Sequence, residues 1–260
     1  MTPALTPTPA PAPAPTAADP RPLVFLDLDD TLFQTRRKNA AAPHVAAVDR
    51  AGQPLSFMTD AQAMLAAWLS VAARVVPTTG RNSEALSRVG LDFSNGAICS
   101  FGGLIRRADG TPDPEWQALM ATHSADHAEA LHTLDALLGI YLEMQSLDIR
   151  HRVITDAGLD LYLSAKHNAA AWEELEAVAD WLRAEVPAGW RVHLNGNNLA
   201  VLPPFLDKAH AVRWFRNRIA GPHPFAIGLG DSLSDVEFLL ACDIAALPAG
   251  AQLAQRLAGG

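Results

Sequence analysis

The chain has 260 residues, of which 49% are apolar and 18% are charged, and its formal net charge is −8. This composition supplies enough apolar side chains for a folded core, which excludes an intrinsically disordered protein. The negative net charge and the lack of a long Lys/Arg run argue against nucleic acid as a partner. The length fits either one large domain or a core with a smaller second domain.

Residues 1–22 alternate Pro with Ala and Thr and contain neither a basic segment nor a proline-free apolar stretch. They match neither a secretory signal nor a membrane span, so we expect a disordered, solvated tail outside the fold. Cys99 and Cys242 lie in separate apolar runs without metal-ligand spacing, which is typical of buried free thiols. We expect a cytoplasmic protein that does not associate with membranes.

The first part of the ordered chain predicts an α/β core. Leu23–Leu26 is a continuous apolar run, typical of a strand buried on both faces of a parallel sheet. A helix over 59–73 and a second strand over 74–77 follow, then a short helix over 83–89 and a third strand over 97–100. The helix over 59–73 has apolar residues at helical spacing, namely Ala63, Met64, Ala67, Trp68 and Val71.

The last part of the chain returns to the same pattern, with strands predicted at 225–229 and 243–247 and a helix at 233–240. The middle differs, because its pattern predicts one helix, two strands, a second helix and two more strands. This α+β unit covers 114–141, 149–155, 159–164, 169–185, 191–194 and 199–202. Gly158 and residues 195–198 provide the turns of two hairpins.

We therefore predict a Rossmann-like parallel-sheet core, formed by 23–107 and 204–260, with an inserted α+β cap domain at 108–203. The sequence gives no indication of the oligomeric state.

The first strand is followed by two carboxylates, Asp27 and Asp29, and by the hydroxyl of Thr31. Ligands of open α/β sheets bind beyond the carboxyl ends of the strands, which is where Asp27 is predicted. Asp27 can attack phosphorus as a nucleophile, and Asp29 can protonate the leaving oxygen and later deprotonate water. The alternative is a polar loop in which Asp30 or Thr31 caps a helix.

Two further segments suit a phosphate group. Thr79 follows the second strand beside Gly80, where its hydroxyl and nearby N–H groups can hold phosphate oxygens, although it equally suits a helix N-cap. Lys208 is predicted in the first turn of a helix capped by Asp207, where it can offset the charge of Asp27 and the phosphoryl group. Considered without the other motifs, Lys208 is more typical of a solvated surface lysine.

The segment after the fourth strand, 227–235, supplies two more carboxylates. Asp231 can ligate Mg²⁺ together with Asp27, because magnesium takes one or two carboxylates and keeps several waters. Asp235 can support the waters of the metal, but it also has capping-box spacing from Ser232, and the sequence does not decide between these roles.

These residues, in this order, resemble the haloacid dehalogenase-like superfamily. Asp27 to Thr31, Thr79 with Gly80, Lys208, and the segment from Asp231 to Asp235 correspond to its four motifs. The resemblance implies that Asp27 is the nucleophile and a metal ligand. It implies that Asp29 is the acid/base and binds the metal through its backbone carbonyl. The position and pattern of the insert are similar to a type IIB cap, as in Cof-type, sucrose-phosphatase-like and mannosyl-phosphoglycerate-phosphatase-like proteins.

The implied function is a Mg²⁺-dependent phosphatase acting on a small phosphorylated metabolite, either a sugar phosphate or a phosphorylated glycoside. A phosphomutase or phosphotransferase of the same superfamily is an alternative, and a phosphate-responsive binding protein is a non-enzymatic one. Four residues are candidates for substrate contacts: Arg81, Arg152, Lys166 and Asn198. The sequence leaves the subfamily and the substrate open, because it departs from many Cof-type members at two places. It has Ser234 where they have Asn, and Gly102–Gly103 where they have Asn-Gly.

Overall fold

A computed structural model describes residues 19–169, 171–221 and 225–259. Most of the predicted disordered tail, residues 1–18, lies outside the described residues. The strands are β1 (Leu23–Leu26), β2 (Gln34–Thr35), β3 (His44–Val48), β4 (Pro54–Met58), β5 (Arg74–Pro77), β6 (Ala97–Cys99), β7 (Leu104–Arg106), β8 (Ile149–Asp156), β9 (Leu159–His167), β10 (Arg191–Asn195), β11 (Asn198–Leu202), β12 (Ala226–Leu229) and β13 (Ile244–Ala246). The α-helices are α1 (Asp60–Ala72), α2 (Ser83–Leu86), α3 (Pro114–Met144), α4 (Trp172–Glu185), α5 (Lys208–Trp214), α6 (Val236–Leu240) and α7 (Gln252–Ala258).

The core contains a parallel sheet in the order β13-β12-β1-β5. All four residues of β1 are buried, and the strand pairs in parallel with β12 on one side and with β5 on the other. This arrangement confirms the predicted buried strand and the predicted α/β fold class. The central position of β1 places the residue that follows it, Asp27, between the ends of two neighbouring strands.

Helix α1 begins with a capping box, in which the Thr59 side chain accepts from the Gln62 amide and the Gln62 side chain accepts from the Thr59 amide. The prediction of which face of this helix is buried is largely wrong, because Met64, Trp68 and Val71 are 72%, 62% and 77% exposed. The buried helical residue is Leu69, and Ala63, Leu65 and Ala66 pack partly against the same core. The helix therefore has apolar residues on more than one face, and their spacing alone did not identify the buried one.

A three-stranded antiparallel sheet, in the order β2-β4-β3, was not predicted. The turn between β3 and β4 is held by the Asp49 side chain, which accepts from the amides of Ala51 and Gln53 at 2.8 Å each. These strands are short, and β3 contains a register shift, so their alternation of buried and exposed residues is weak.

The cap consists of α3, β8, β9, α4, β10 and β11, which confirms the predicted order of helices and strands. Its antiparallel sheet runs β10-β11-β9-β8, and one face packs on both helices through a buried apolar cluster. Gly158 and Gly196 have positive φ angles in the two hairpin turns. The exact domain limits at 107/108 and 203/204 stay a prediction.

Several predicted elements are shorter than expected. The helix predicted over 83–89 is limited to Ser83–Leu86, and the one predicted over 233–240 is a 3-10 turn followed by α6. Cys99 is buried and Cys242 is partly buried, and neither forms a disulfide. Among the described helices, none has both the length and the apolar character that crossing a membrane requires.

Candidate active site

The polar residues predicted at strand ends lie at one edge of the parallel sheet. Asp27 follows β1, Thr78 and Thr79 follow β5, and Asp231 comes two residues after β12. The Asp27 amide donates to the Leu229 carbonyl at 2.8 Å, and the Thr78 amide donates to the Leu26 carbonyl at 2.8 Å. The sheet pairing thus continues just past the strands and fixes the three polar segments beside one another.

Three buried carboxylates meet at this edge. Asp27, Asp231 and Asp235 each place one carboxylate oxygen within 4.8 Å of the other two. The Thr31 hydroxyl lies 3.1 Å from Asp27 Oδ2 and 3.0 Å from Asp231 Oδ1, so it links the first two carboxylates. An all-oxygen donor set of this kind suits Mg²⁺ better than a softer metal.

Lys208 provides the positive charge inside this cluster. Its Nζ lies 2.7 Å from Asp27 Oδ1 and 2.8 Å from Asp235 Oδ1, and the side chain is only 7% exposed. Asp207 caps α5 as predicted, since its side chain accepts from the Ala209 amide at 2.7 Å. The interpretation of Lys208 as a solvated lysine is therefore wrong.

Gly102 allows the loop before the cap to approach the start of α5. Its φ is +96°, and a Cβ at this position would lie 2.5 Å from the Asp207 carbonyl oxygen. Any larger residue would displace Asp207 and, with it, the neighbouring Lys208. The Gly102–Gly103 pair singled out in the sequence thus has a packing role next to the site.

The cluster carries more negative than positive charge. Burial raises the pKa of Asp27 well above its ordinary value despite the nearby ammonium of Lys208, and burial with Asp235 raises the pKa of Asp231 to about 6. Burial disfavours the charged forms of Asp235 and Lys208. The ion pair between them outweighs this effect and lowers the pKa of Asp235. The attraction of Asp235 and Asp27 raises the pKa of Lys208. One ammonium does not neutralise three carboxylates, so a divalent cation would complete the charge balance.

Asp235 fulfils the capping role that the sequence left open. Its Oδ2 accepts from the Ser232 hydroxyl at 2.8 Å and from the Ser232 and Asp231 amides at 3.1 and 3.3 Å. Its Oδ1 accepts from Lys208. Both oxygens are thus engaged within the chain, so Asp235 positions Asp231 and Lys208. This geometry fits a supporting role better than a direct metal ligand.

Asp29 lines the same cleft but is not part of the carboxylate cluster. Arg81 Nε and one terminal nitrogen donate to its two oxygens at 2.7 Å each, a bidentate ion pair. Asp29 is 48% exposed at its side chain, whereas Arg81 is only 13% exposed. Arg81, predicted as a substrate contact, therefore holds the predicted acid/base in this arrangement. The predicted metal contact of Asp29 concerns its backbone carbonyl and stays a prediction.

Thr79 lies in the wall of the cleft above the cluster and is 1% exposed. Its amide donates to the Ile98 carbonyl at 2.9 Å, and its Oγ1 accepts from the Arg81 amide at 3.1 Å. The residue does not cap α2, since that role belongs to Asn82, whose side chain accepts from the Ala85 amide. The helix-cap alternative for Thr79 is therefore wrong.

The cleft has a volume of about 280 Å³ and separates the cluster from the cap sheet. All four candidate substrate-contact residues line it: Arg81, Arg152, Lys166 and Asn198. The sequence did not single out Tyr162 and His193, which also line it. Tyr162 donates from its hydroxyl to the Gly80 carbonyl at 2.9 Å, next to Thr79. The sequence signal that could have identified them is strand alternation, because every second residue in these parts of β9 and β10 faces the cleft.

A second connection joins the cap to the loop that carries the first two aspartates. The Asp30 side chain accepts from Asn195 Nδ2 at 2.9 Å and forms an ion pair with Lys38. Asp30 has a φ of +69°, a conformation that Asp tolerates better than most residues. Lys38, which belongs to the basic run 36–38, thus lies in a turn beside the site.

Solved structures with the same architecture include a sucrose-phosphatase from Synechocystis, determined with sucrose and phosphate. It matches with a TM-score of 0.54 and 16% identity over 92% of this chain and 86% of that one. A Thermoplasma acidophilum protein gives 0.52 and 13% over 91% and 89%, and a haloacid dehalogenase-like hydrolase from B. subtilis gives 0.50 and 14% over 89% and 90%. The chain has the haloacid dehalogenase-like fold.

The resemblance seen in the sequence is thus confirmed at the level of the fold. No family model and no curated protein matches the chain. The roles of the individual site residues therefore depend on the geometry of this chain.

Replacing Lys208 with Met is expected to destabilise the metal-free protein by about 3 to 5 kcal/mol, because removing one partner of a buried ion pair leaves uncompensated charge. Three neighbouring carboxylates would then lack the ammonium that Asp27 and Asp235 share. Urea unfolding in EDTA measures the change, with Lys208→Arg as the charge-retaining control. Equal free energies of unfolding for Lys208→Met and the native protein would contradict this electrostatic account.

Proposed function

We propose that the chain is a Mg²⁺-dependent phosphatase that hydrolyses a small phosphate monoester through an aspartyl-phosphate at Asp27. One observation carries this proposal: a buried carboxylate at the end of the central strand lies 2.7 Å from a lysine ammonium and belongs to a cluster of three carboxylates. Phosphate esters repel nucleophiles, so their hydrolysis requires concentrated positive charge beside an aimed nucleophile. This cluster offers both features once a cation is bound.

Asp27 and Asp231 would hold Mg²⁺, which would neutralise charge on the phosphoryl oxygens and on the attacking carboxylate. In the first step, an Asp27 carboxylate oxygen forms a bond to phosphorus while the bond from phosphorus to the ester oxygen breaks. Asp29 donates the proton that the departing alkoxide needs. Lys208 and the Thr79 hydroxyl bind the oxygens of the transferring phosphoryl group.

In the second step, Asp29 accepts a proton from water, and the water oxygen attacks the phosphorus of the aspartyl-phosphate. Inorganic phosphate leaves, and the Asp27 carboxylate is restored. Both steps require a free Asp29 carboxylate, whereas both of its oxygens accept from Arg81 in this structure. We infer that substrate binding draws Arg81 to the phosphate and releases Asp29 for proton transfer.

The cap favours a small, polar leaving group. Its sheet covers the cleft with side chains that can form hydrogen bonds, among them Tyr162, Ser164 and Asn198. A volume of about 280 Å³ fits a metabolite rather than a protein segment. A sugar phosphate or phosphorylated glycoside fits these properties, and the similarity in fold to a sucrose-phosphatase supports this substrate class.

Phosphate release from a panel of sugar phosphates, with p-nitrophenyl phosphate as a generic substrate, tests the proposal. We expect release in the presence of Mg²⁺ and none in EDTA. The Asp29→Asn variant is expected to lose more activity on sugar phosphates than on p-nitrophenyl phosphate, because nitrophenolate leaves without a proton. Binding of phosphorylated sugars without any phosphate release by the native protein in Mg²⁺ would contradict a phosphatase.

A further inference from the structure

The face of the cap sheet that covers the cleft carries two basic side chains on neighbouring strands. In the strand register, Arg152 of β8 lies opposite Ser164 of β9, and Ser164 lies opposite Ala200 of β11. Lys166 comes two residues after Ser164, so it is on the same face of the sheet. Arg152, Ser164 and Lys166 all line the cleft. Two cations and a hydroxyl therefore lie on one face of the cap sheet, in the wall of the cleft.

The other basic residues of the cleft are matched by carboxylates of the chain. Arg81 is paired with Asp29, and Lys208 is paired with Asp27 and Asp235. Arg50 and Arg88 both contact Glu84. Each of these cations therefore contacts a carboxylate of the chain before a substrate enters.

Arg152 and Lys166 differ from these residues. Neither has an ion pair or a hydrogen bond with any residue in the described part of the chain. Lys166 is partly buried, and burial lowers the pKa of its ammonium despite attraction from Asp29, whose carboxylate oxygens both accept from Arg81. A partly buried cation without a partner costs stability, and a bound anion would remove that cost.

The reacting phosphoryl group does not account for these two cations. In the proposed mechanism, Lys208, Thr79 and Arg81 bind that group at the sheet edge, whereas Arg152 and Lys166 are on strands β8 and β9 of the cap. We propose that Arg152, Lys166 and the Ser164 hydroxyl form a second anion subsite. If the chain is a phosphatase, as proposed above, its substrate is then a phosphate ester whose leaving group carries a carboxylate or a second phosphate.

Two matched substrate pairs test this subsite. The carboxylate pair is 3-phosphoglycerate and glycerol 3-phosphate, and the phosphate pair is glucose 1,6-bisphosphate and glucose 1-phosphate. We expect kcat/KM to favour the more anionic member of at least one pair by about 10- to 100-fold, the usual effect of charge-assisted hydrogen bonds. The preferred pair identifies which second anion is bound.

Lys166→Met and Arg152→Met are each expected to bring the ratio of kcat/KM within the preferred pair close to 1, because kcat/KM falls more for the more anionic member than for the other. Lys166→Arg, which keeps the charge, is expected to retain the preference. Arg183→Met is the control, because Arg183 is on the cap helix α4, is paired with Asp180 and does not line the cleft. Thermal unfolding of each variant verifies that it is folded.

Two results would overturn the subsite. One is equal kcat/KM for both members of both pairs, and the other is a preference that Lys166→Met and Arg152→Met leave unchanged. In either case, hydrolysis of p-nitrophenyl phosphate would still support the phosphatase. If the native protein released phosphate from no substrate at all, the proposed function itself would fail, and the subsite would fail with it.

Discussion

Asp27→Asn is expected to reduce the rate of phosphate release by at least about 10³-fold, because an amide cannot replace the carboxylate as a nucleophile. The Asn side chain has nearly the same shape, and its carbonyl oxygen can still accept the hydrogen bond from Lys208 Nζ. The fold should therefore be retained. Initial rates with p-nitrophenyl phosphate at saturating Mg²⁺ measure the loss.

The same variant is expected to be at least as stable as the native protein when Mg²⁺ is absent. Asp27 is buried beside Asp231 and Asp235, and these neighbouring charges oppose its ionised form. Removing one of three carboxylates relieves that repulsion. Asp60→Asn is the control, since Asp60 is exposed, pairs with His44 and lies outside the cluster. A similar rate for Asp27→Asn and Asp60→Asn would exclude Asp27 as the nucleophile.

Mg²⁺ is expected to raise the midpoint of thermal unfolding by about 5 to 10 °C when its concentration is 100 times its Kd. Such an excess stabilises the folded state by about 2.7 kcal/mol, and each kcal/mol shifts the midpoint of a chain this long by about 2 to 4 °C. The effect follows from the cluster, because the cation compensates carboxylates that repel one another in the folded protein.

Calorimetry in MgCl₂, compared with NaCl at matched ionic strength, measures this shift. Asp231→Asn is expected to lose most of it, because Asp231 is the proposed ligand least occupied by other partners. Hydrolysis should be abolished by EDTA and restored by added Mg²⁺. An unchanged midpoint with and without Mg²⁺ in the native protein would show that the cluster does not bind the ion.

The strand-end residues could be predicted from local sequence. A short apolar run followed by polar residues indicates a buried parallel strand and its carboxyl end, and this pattern located Asp27, Thr79 and Asp231. Lys208 had no such local signal, because 181 residues separate it from Asp27. Only the order of motifs shared with a known superfamily drew attention to it.

Other features depend on tertiary structure that the sequence does not encode locally. The ion pair between Asp29 and Arg81 joins two loops, and the connection between Asp30 and Asn195 joins the core to the cap. The exposure of Trp68 likewise depends on which face of α1 meets the sheet. Spacing within one element predicts its periodicity, but the partners of its side chains are set by the packing of several elements.

We predict that Asp27 carries the phosphoryl group during turnover. Acid quenching during steady-state hydrolysis, followed by borohydride reduction and peptide mass spectrometry, would convert an acyl-phosphate at this position to homoserine. We predict homoserine at residue 27 when substrate and Mg²⁺ are both present, and aspartate when either is omitted. Unmodified Asp27 during active turnover, with the reduced residue found at Asp29 or Asp231 instead, would contradict the account.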